Sequence, residues 1–358
     1  MPEGFVLTRQ WLEKPDGQDL VFWLATDSGP VKVVIENHES VFFLPLPQIP
    51  AARRILGDKP RWRDAAVPLC DFHQTPVHAC YFTSQKDLNI ARARLWQANV
   101  QPLEADIRPT DRYLMERFIT GAMSVEGDAE TLDGLPVYRN PRLLPVEYIP
   151  ALLVVSLDIE TSYTENILYS IAVSGPNIAK VFMVFDAPSP GHEEPALGEA
   201  LDYLEYVATE AVLIERFLDW FAVLDPDVVI GWNVVGFDLQ FLQKRCEFHG
   251  LAFTLGRQSQ EVRWRSTSQG QQRHYALVPG RVVLDGIEML RTATYQFESF
   301  SLENVARVLL GRGKLVHDVD SRAAEIQVMY AQDPLALARY NLEDCVLVEE
   351  IFAKTDLI

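Results

Sequence analysis

Cysteine is scarce in this chain: only Cys70, Cys80, Cys246 and Cys345 among 358 residues. So few, so widely spaced, build no disulfide framework, and the sequence reads as one made for a reducing, cytoplasmic setting. No apolar run is long enough to span a bilayer, so no membrane partner is expected. Met1-Pro2-Glu3-Gly4 opens without a basic stretch followed by an apolar one, so no secretory leader is expected either. Low-complexity tracts are missing. Basic residues are in deficit, 32 Lys and Arg against 50 Asp and Glu, a net charge of −18. That balance argues against a broad basic face of the kind that grips polyphosphates. What is present is a globular composition, 48% hydrophobic and 23% charged, in a chain too long for one ordinary core. Two domains are expected, divided at 148/149.

One stretch organises the second domain: Leu152-Leu153-Val154-Val155-Ser156-Leu157-Asp158-Ile159-Glu160-Thr161. Apolar, β-branched residues predict a buried strand, and the run ends in two carboxylates one residue apart. Side chains at i and i+2 share a strand face, so Asp158 and Glu160 point the same way. Two adjacent anions raise each other's pKa. They are tolerated when a divalent cation lies between them or one stays protonated; the bland alternative is an exposed strand end carrying acids by chance.

In the first domain, residues 5–45 alternate as strands. Val21–Thr26 and Val31–Ile35 predict a hairpin with a four-residue turn at 27–30. A strand pair is expected near 77–83, then a helix at 86–98 with Leu88, Ala91, Leu95 and Trp96 on one stripe. A second helix is expected over 110–120, capped by Thr110 or Asp111 and ended by Gly121. Residues 121–150, rich in Gly and Pro, read as the connection to the core strand. Cys70, His73, His78 and Cys80 fall within eleven residues. They lack the two paired spacings and intervening loop of a structural zinc site, and a strand with its preceding loop is the expected reading.

Past Glu160, strands are expected at 167–173 and 180–185, making an antiparallel meander, followed by a polar segment at 186–200. An amphipathic helix with Ile214, Phe217, Leu218 and Phe221 inward leads to a fourth strand, Val228–Trp232. Reached through a helix, that strand is expected parallel to the first. Asp238 then stands where a loop becomes a helix, a place where Asp is also common simply as a cap. An inserted β-hairpin is expected over 253–284, carrying Arg263, Trp264 and Arg265. Arg281–Asp285 reads as a further strand, with Asp285 structural. Ser301 caps a helix closed by Gly311. Asp333-Pro334 opens the last helix, which runs to about Ala353 and presents Tyr340 and Asp344, four residues apart, on the face of Leu337, Leu347 and Ile351. An inward Asp needs a charge partner. Asp158, Glu160, Asp238 and Asp344 together are hard oxygen ligands that suit Mg²⁺ or Mn²⁺. Two such ions, about 3.5–4 Å apart, would clamp the attacking and leaving oxygens of a phosphoryl displacement.

Asp158-x-Glu160, Asn233-x3-Phe237-Asp238 and Tyr340-x3-Asp344 resemble, in order, the three motifs of DEDDy-type 3′→5′ proofreading exonucleases. Glu104–Pro109, Arg117–Ile119 and Ile230–Asn233 resemble family B DNA polymerases. Gly4–Arg9 and Phe22–Asp27 are most similar to the bacterial members of that family. The resemblance implies a ribonuclease-H-like α/β domain over 149–358 behind a mainly β domain over 1–148. It implies two Mg²⁺ or Mn²⁺ ions on the four carboxylates and water oriented by Glu160 and Tyr340. It implies Asn233 and Phe237 at the terminal nucleotide; Tyr169, Phe237 and Phe300 are the aromatics able to stack on a base, with core packing the plainer role for each. The hairpin is similar to one placed near a primer–template junction. The implied partner is a single-stranded or frayed DNA 3′ end, gripped over a short length, which reconciles the acidic balance. A sliding clamp is implied only through a C-terminal part, and a monomer at the bacterial nucleoid is expected. Polymerase motifs of the S-L-Y-P-S and D-T-D-S kind do not occur, so this chain alone is not expected to polymerise. A stand-alone DNA or RNA trimming exonuclease and a non-catalytic interaction module remain the alternatives.

Overall fold

The computed structural model describes residues 1–162, 165–185, 201–266, 274–313 and 322–358, which form two compact units, Met1–Ala151 and Leu152–Ile358. Among the described residues no helix is long and apolar enough to cross a membrane.

The first unit runs β1 (Glu3–Lys14), β2 (Gly17–Thr26), β3 (Gly29–Ile35), β4 (Ser40–Pro45), α1 (Ile49–Leu56), β5 (Trp62–Cys70), β6 (Pro76–Phe82), α2 (Gln85–Gln97), α3 (Pro109–Met115), β7 (Ala122–Glu126), β8 (Ala129–Leu132), β9 (Leu135–Arg139) and β10 (Arg142–Pro145). A seven-stranded sheet has the order β10-β7-β1-β2-β3-β9-β8, and a three-stranded sheet has the order β4-β6-β5. β2 is central and covered on both faces. Phe22 and Leu24 belong to one core cluster, and Val21 and Trp23 to another.

Several expectations here need correction. The β2–β3 turn is two residues long, because Thr26 pairs with Gly29 and leaves only Asp27 and Ser28 outside the ladder. Trp96 is 55% exposed, although Leu88, Ala91 and Leu95 are buried. Its indole lies instead under the Arg92 guanidinium, 5.2 Å from the ring centre. The helix expected over 110–120 starts at Pro109, with Arg108 at the cap, and ends at Met115. Proline is favoured at that first position, and Phe118, at φ +56°, turns the chain well before Gly121. Residues 121–150 are not merely a connection. They contribute four strands to the large sheet, β7 against β1 and β9 parallel to β3.

The second unit continues with β11 (Val154–Thr161), β12 (Leu168–Gly175), β13 (Ile178–Val184), β14 (Leu204–Val207), α4 (Glu210–Leu224), β15 (Val228–Gly231), α5 (Asp238–His249), β16 (Arg263–Ser266), β17 (His274–Leu277), β18 (Val282–Asp285), α6 (Gly286–Thr292), α7 (Leu302–Leu310), α8 (Arg322–Gln332) and α9 (Pro334–Thr355). Its mixed sheet has the order β14-β13-β12-β11-β15-β18 among the described residues. β11, β12 and β13 form the expected meander, and β15 lies parallel to β11. β14, parallel to β13, and α8 had no counterpart in the expectations. The polar segment 186–200 lies outside the described residues, as does the tip of the β16–β17 hairpin. The insertion ends earlier than expected, because β18 belongs to the main sheet beside β15.

Strand periodicity sets the two faces of this sheet. Val155, Leu157 and Ile159 of β11 enter a core cluster with Leu213, Ile214 and Phe217 of α4 and Leu239 and Leu242 of α5. The intervening positions, Ser156, Asp158 and Glu160, therefore face the other layer, where α9 runs across β11 and β12. The parallel β11 and β15 end at one sheet edge, next to a strand that runs the other way. That edge, outside the carboxyl ends of parallel strands, is where open α/β sheets place ligands.

Candidate active site

Asp158 and Glu160 occupy the end of β11. Directly after Glu160 the pairing with β12 slips, Glu160 opposing Ser170 and Thr161 opposing Leu168. An irregularity of this kind re-aims side chains and ends a ladder. Asp344 arrives from α9, whose start is fixed by Asp333 accepting from the Ala336 amide and by Pro334 in the first turn. One carboxylate oxygen from each of Asp158, Glu160 and Asp344 lies within 4.8 Å of the other two. Glu160 and Asp344 are buried, at 7% and 1% exposed. At about 5 Å and an effective dielectric of ~20, each ionised pair repels by roughly 3 kcal/mol. Hard oxygen donors this close fit a divalent cation, which turns that repulsion into coordination. The field reaches Cys345 on the same helix: burial pushes its thiol well up, and the charges of Asp158, Asp344, Glu349 and Asp238 push it further.

Asp238 lines the same cleft but stands outside that three-carboxylate group. It is the first residue of α5, not its cap, which is Phe237. Its Oδ1 accepts from the Ile159 amide at 3.1 Å, tying the start of α5 to the end of β11. The connecting loop is tightly built. Asn233 takes the left-handed conformation (φ +59°), which Asn tolerates. Gly236 follows three residues later because a Cβ there would come within 2.3 Å of Asn233 Oδ1. Gly231 admits the loop against the Leu157 carbonyl and Val234. Asp285 is structural, as expected. Its Oδ2 accepts from the Val235 amide at 3.2 Å, and its Oδ1 caps α6 at Ile287 and Glu288. Burial raises its carboxyl above the usual range, against the pull of those three amides.

A cleft of about 630 Å³ brings together Asp158, Glu160, Asn233, Phe237, Asp238, Tyr340 and Asp344. Phe237 is 44% exposed, its ring 5.9 Å from that of Phe241. Tyr340 is buried at the cleft wall. Two other aromatics lie elsewhere: Tyr169 is buried and stacked on Tyr330 at 3.8 Å, and the Phe300 carbonyl accepts from Trp232 Nε1. The four residues weighed as zinc ligands are also apart in role. Cys70 is exposed beside Gln74, His78 meets Asp64 at 2.9 Å, and the thiol of Cys80 is pushed up to about 12 by burial.

Residues 100–305 match the family model for the exonuclease domain of DNA polymerase family B, and residues 4–39 match that for the DNA polymerase II N-terminal region. The chain belongs to DNA polymerase family B. Over 357 residues it is 44% identical to Escherichia coli DNA polymerase II, covering 99% of this chain and 44% of that protein. A DNA polymerase of Thermococcus kodakarensis is 28% identical over 280 residues, 77% of this chain and 14% of that one. The family B DNA polymerase structure from Pyrobaculum calidifontis superposes with a TM-score of 0.76 at 19% identity, covering 98% of this chain and 45% of the other. The chain thus spans less than half the length of these relatives, and the ribonuclease-H-like fold expected for the second unit is the family's fold. The family match takes in the first two motifs of this family B chain, while Tyr340 and Asp344 lie beyond residue 305.

Three residues in or behind the cleft of this family B chain escaped the sequence reading. Lys244 is the only Lys or Arg lining the cleft among the described residues. It lies on the helix that begins at Asp238, and helical spacing from Phe241 was the signal available. Asn341, which donates to Asp158, and Ser170, which donates to Asn341, had no local signal at all.

Proposed function

We propose that the unit Leu152–Ile358 is a metal-dependent 3′→5′ exonuclease that removes the terminal nucleotide of a DNA strand as a deoxynucleoside monophosphate, in the proofreading service of a family B DNA polymerase. One observation carries this reading: acids from β11, α5 and α9, distant in sequence, converge on a single cleft, three of them with oxygens within 4.8 Å. Asp158, Glu160 and Asp344 would hold Mg²⁺ or Mn²⁺, with Asp238 completing a place for a second ion. Bound there, the ions supply Lewis-acid polarisation of the scissile phosphate and a lowered pKa for water.

The protein's own groups do the rest. Glu160 and Tyr340 orient the attacking water, the carboxylate accepting and the phenol donating. Phe237 offers a half-exposed face on which a terminal base stacks, an interaction tolerant of base identity. Asn233, rigidly set beside Gly236, holds the sugar or phosphate next to it. DNA is the partner assigned to this cleft. Its short grip suits a chain of net charge −18, because cations held by the carboxylates would offset their charge toward the substrate.

The test is hydrolysis of a 3′-labelled single strand. Replacing both Asp158 and Glu160 by Ala should lower the rate by at least about a thousandfold while the far-UV spectrum is unchanged, on the scale of losing a main electrostatic contributor to catalysis. EDTA should abolish the wild-type rate. Full activity in either condition ends this reading.

A further inference from the structure

We propose that Asn341 is a positioning residue that holds the carboxylate of Asp158, is itself held by Ser170, and is suited to a cation site by being neutral. This rests on the metal-dependent reading above and deepens it. Asn341 follows Tyr340 on α9 and is 0% exposed. Its Nδ2 donates to Asp158 Oδ2 at 2.7 Å. Its Oδ1 accepts from Ser170 Oγ at 2.7 Å. Ser170 is likewise 0% exposed, and on β12 it is the strand partner of Glu160. One chain of two short bonds therefore joins α9, β11 and β12 at one member of the carboxylate group.

Chemistry fixes the direction of this chain. An ionised carboxylate only accepts, so the amide must turn its NH₂ toward Asp158 and its carbonyl toward the serine, whose hydroxyl donates. Leaving either buried end of the amide without its partner would strip that group of water with no hydrogen bond in return, so the pair of bonds selects one rotamer. A neutral donor has a particular merit here. Lys or Arg in its place would bind Asp158 more strongly, but would cancel the charge that a divalent cation needs and compete with it. The amide orients the carboxylate and leaves its full charge available. Partners of this kind, one bond behind a ligand, set ligand direction and tune affinity.

The experiment is Mn²⁺ calorimetry on the full chain, beside exonuclease kinetics as a function of Mn²⁺ and thermal unfolding in EDTA. Asn341→Leu, which keeps the same branched side chain of four heavy atoms but has no polar atoms, should weaken Mn²⁺ binding by about 10–100-fold. The metal concentration for half-maximal rate should rise with it, and the rate at saturating metal should recover more than the affinity does. Ser170→Ala, a milder change that leaves Asn341 in place, should shift affinity in the same direction by less. Two variants that both melt as wild type in EDTA and bind Mn²⁺ as wild type would overturn the inference. If Asn341→Leu does not fold, an unchanged affinity in Ser170→Ala overturns it alone. Wild-type chain that binds no Mn²⁺ would instead remove the metal-dependent reading, and this inference with it.

Discussion

Lys244 stands six residues along α5 from Asp238 and lines a cleft whose other charged residues, among those described, are acids. Its ammonium is a compact point charge on a flexible stem, well suited to a phosphate upstream of the one being cut. Lys244→Ala should raise KM for single-stranded DNA about fivefold, on the order of 1 kcal/mol for one exposed charge contact, with kcat nearly unchanged. The salt dependence of binding should fall by about 0.7 in slope, one phosphate contact on a single strand. A lower kcat at constant KM would instead place Lys244 in the chemical step. The contrast with Asn341 is one of charge: on the proposed function a cation in the cleft suits contact with substrate phosphate, and would compete with the metal if placed behind Asp158.

At the scale of elements, the site depends on how α5 is held against the sheet. Glu210, in the first turn of α4, accepts from the Leu168 amide at 3.0 Å, from Arg245 at 2.6 and 2.5 Å, and meets His249 at 3.0 Å. One carboxylate thus links α4, β12 and α5. Burial opposes its ionisation, yet the hydrogen bonds from Arg245, His249 and Leu168 prevail and keep the group below the usual carboxylate range. Glu210→Ala would leave Arg245, 8% exposed, as a buried charge without this partner. The expected loss is about 3–5 kcal/mol of stability, read as a lower denaturant midpoint. Asp238 stands at the other end of α5, so the folded fraction should also cleave more slowly at limiting metal. A loss under about 1 kcal/mol would show the network to be incidental.

For the whole molecule, two groups, one in each unit, respond to acid at different pH. In the first unit, His38 lies edge-on to Tyr113 at 5.5 Å, and its pKa is lowered to about 4 by burial and then by the Arg117 charge, with Glu39 opposing. The unfolded imidazole titrates near 6.5, so between about 4 and 6.5 the unfolded chain binds more protons and stability rises with pH. Stability is therefore lost as pH falls through that window, by about 1–2 kcal/mol between pH 7 and 5 for a group only partly buried. In the second unit, the depressed Glu210 carboxyl contributes stability above the unfolded carboxylate pKa of about 4.3 and loses it only below that. Melting curves at pH 7 and 5 should show acid destabilisation of the first unit, and His38→Phe should flatten it. An unchanged pH slope in that variant would assign the effect to other groups.

Local chemistry made much of this protein legible from its residues alone. Alternation and β-branching marked β11, β12, β13 and β15. Proline and serine at helix starts marked α7 and α9, and a spacing of four put Tyr340 and Asp344 on one helix face. Each signal acts within a few residues, so each survives in an isolated sequence. Tertiary structure alone decided what depends on distant partners. The Gly- and Pro-rich segment 121–150 became strands because β1 and β3 offer open edges to β7 and β9, more than ninety residues away in the chain. Three of the four acids came within 4.8 Å, while Asp238 stands outside that group and accepts from the Ile159 amide. The Ser170–Asn341–Asp158 chain spans 183 residues between Asp158 and Asn341, and neither the serine nor the asparagine differs locally from any other buried polar residue. Hydrogen bonds across such separations have no periodicity to betray them, since only packing of α9 on the sheet brings their atoms together.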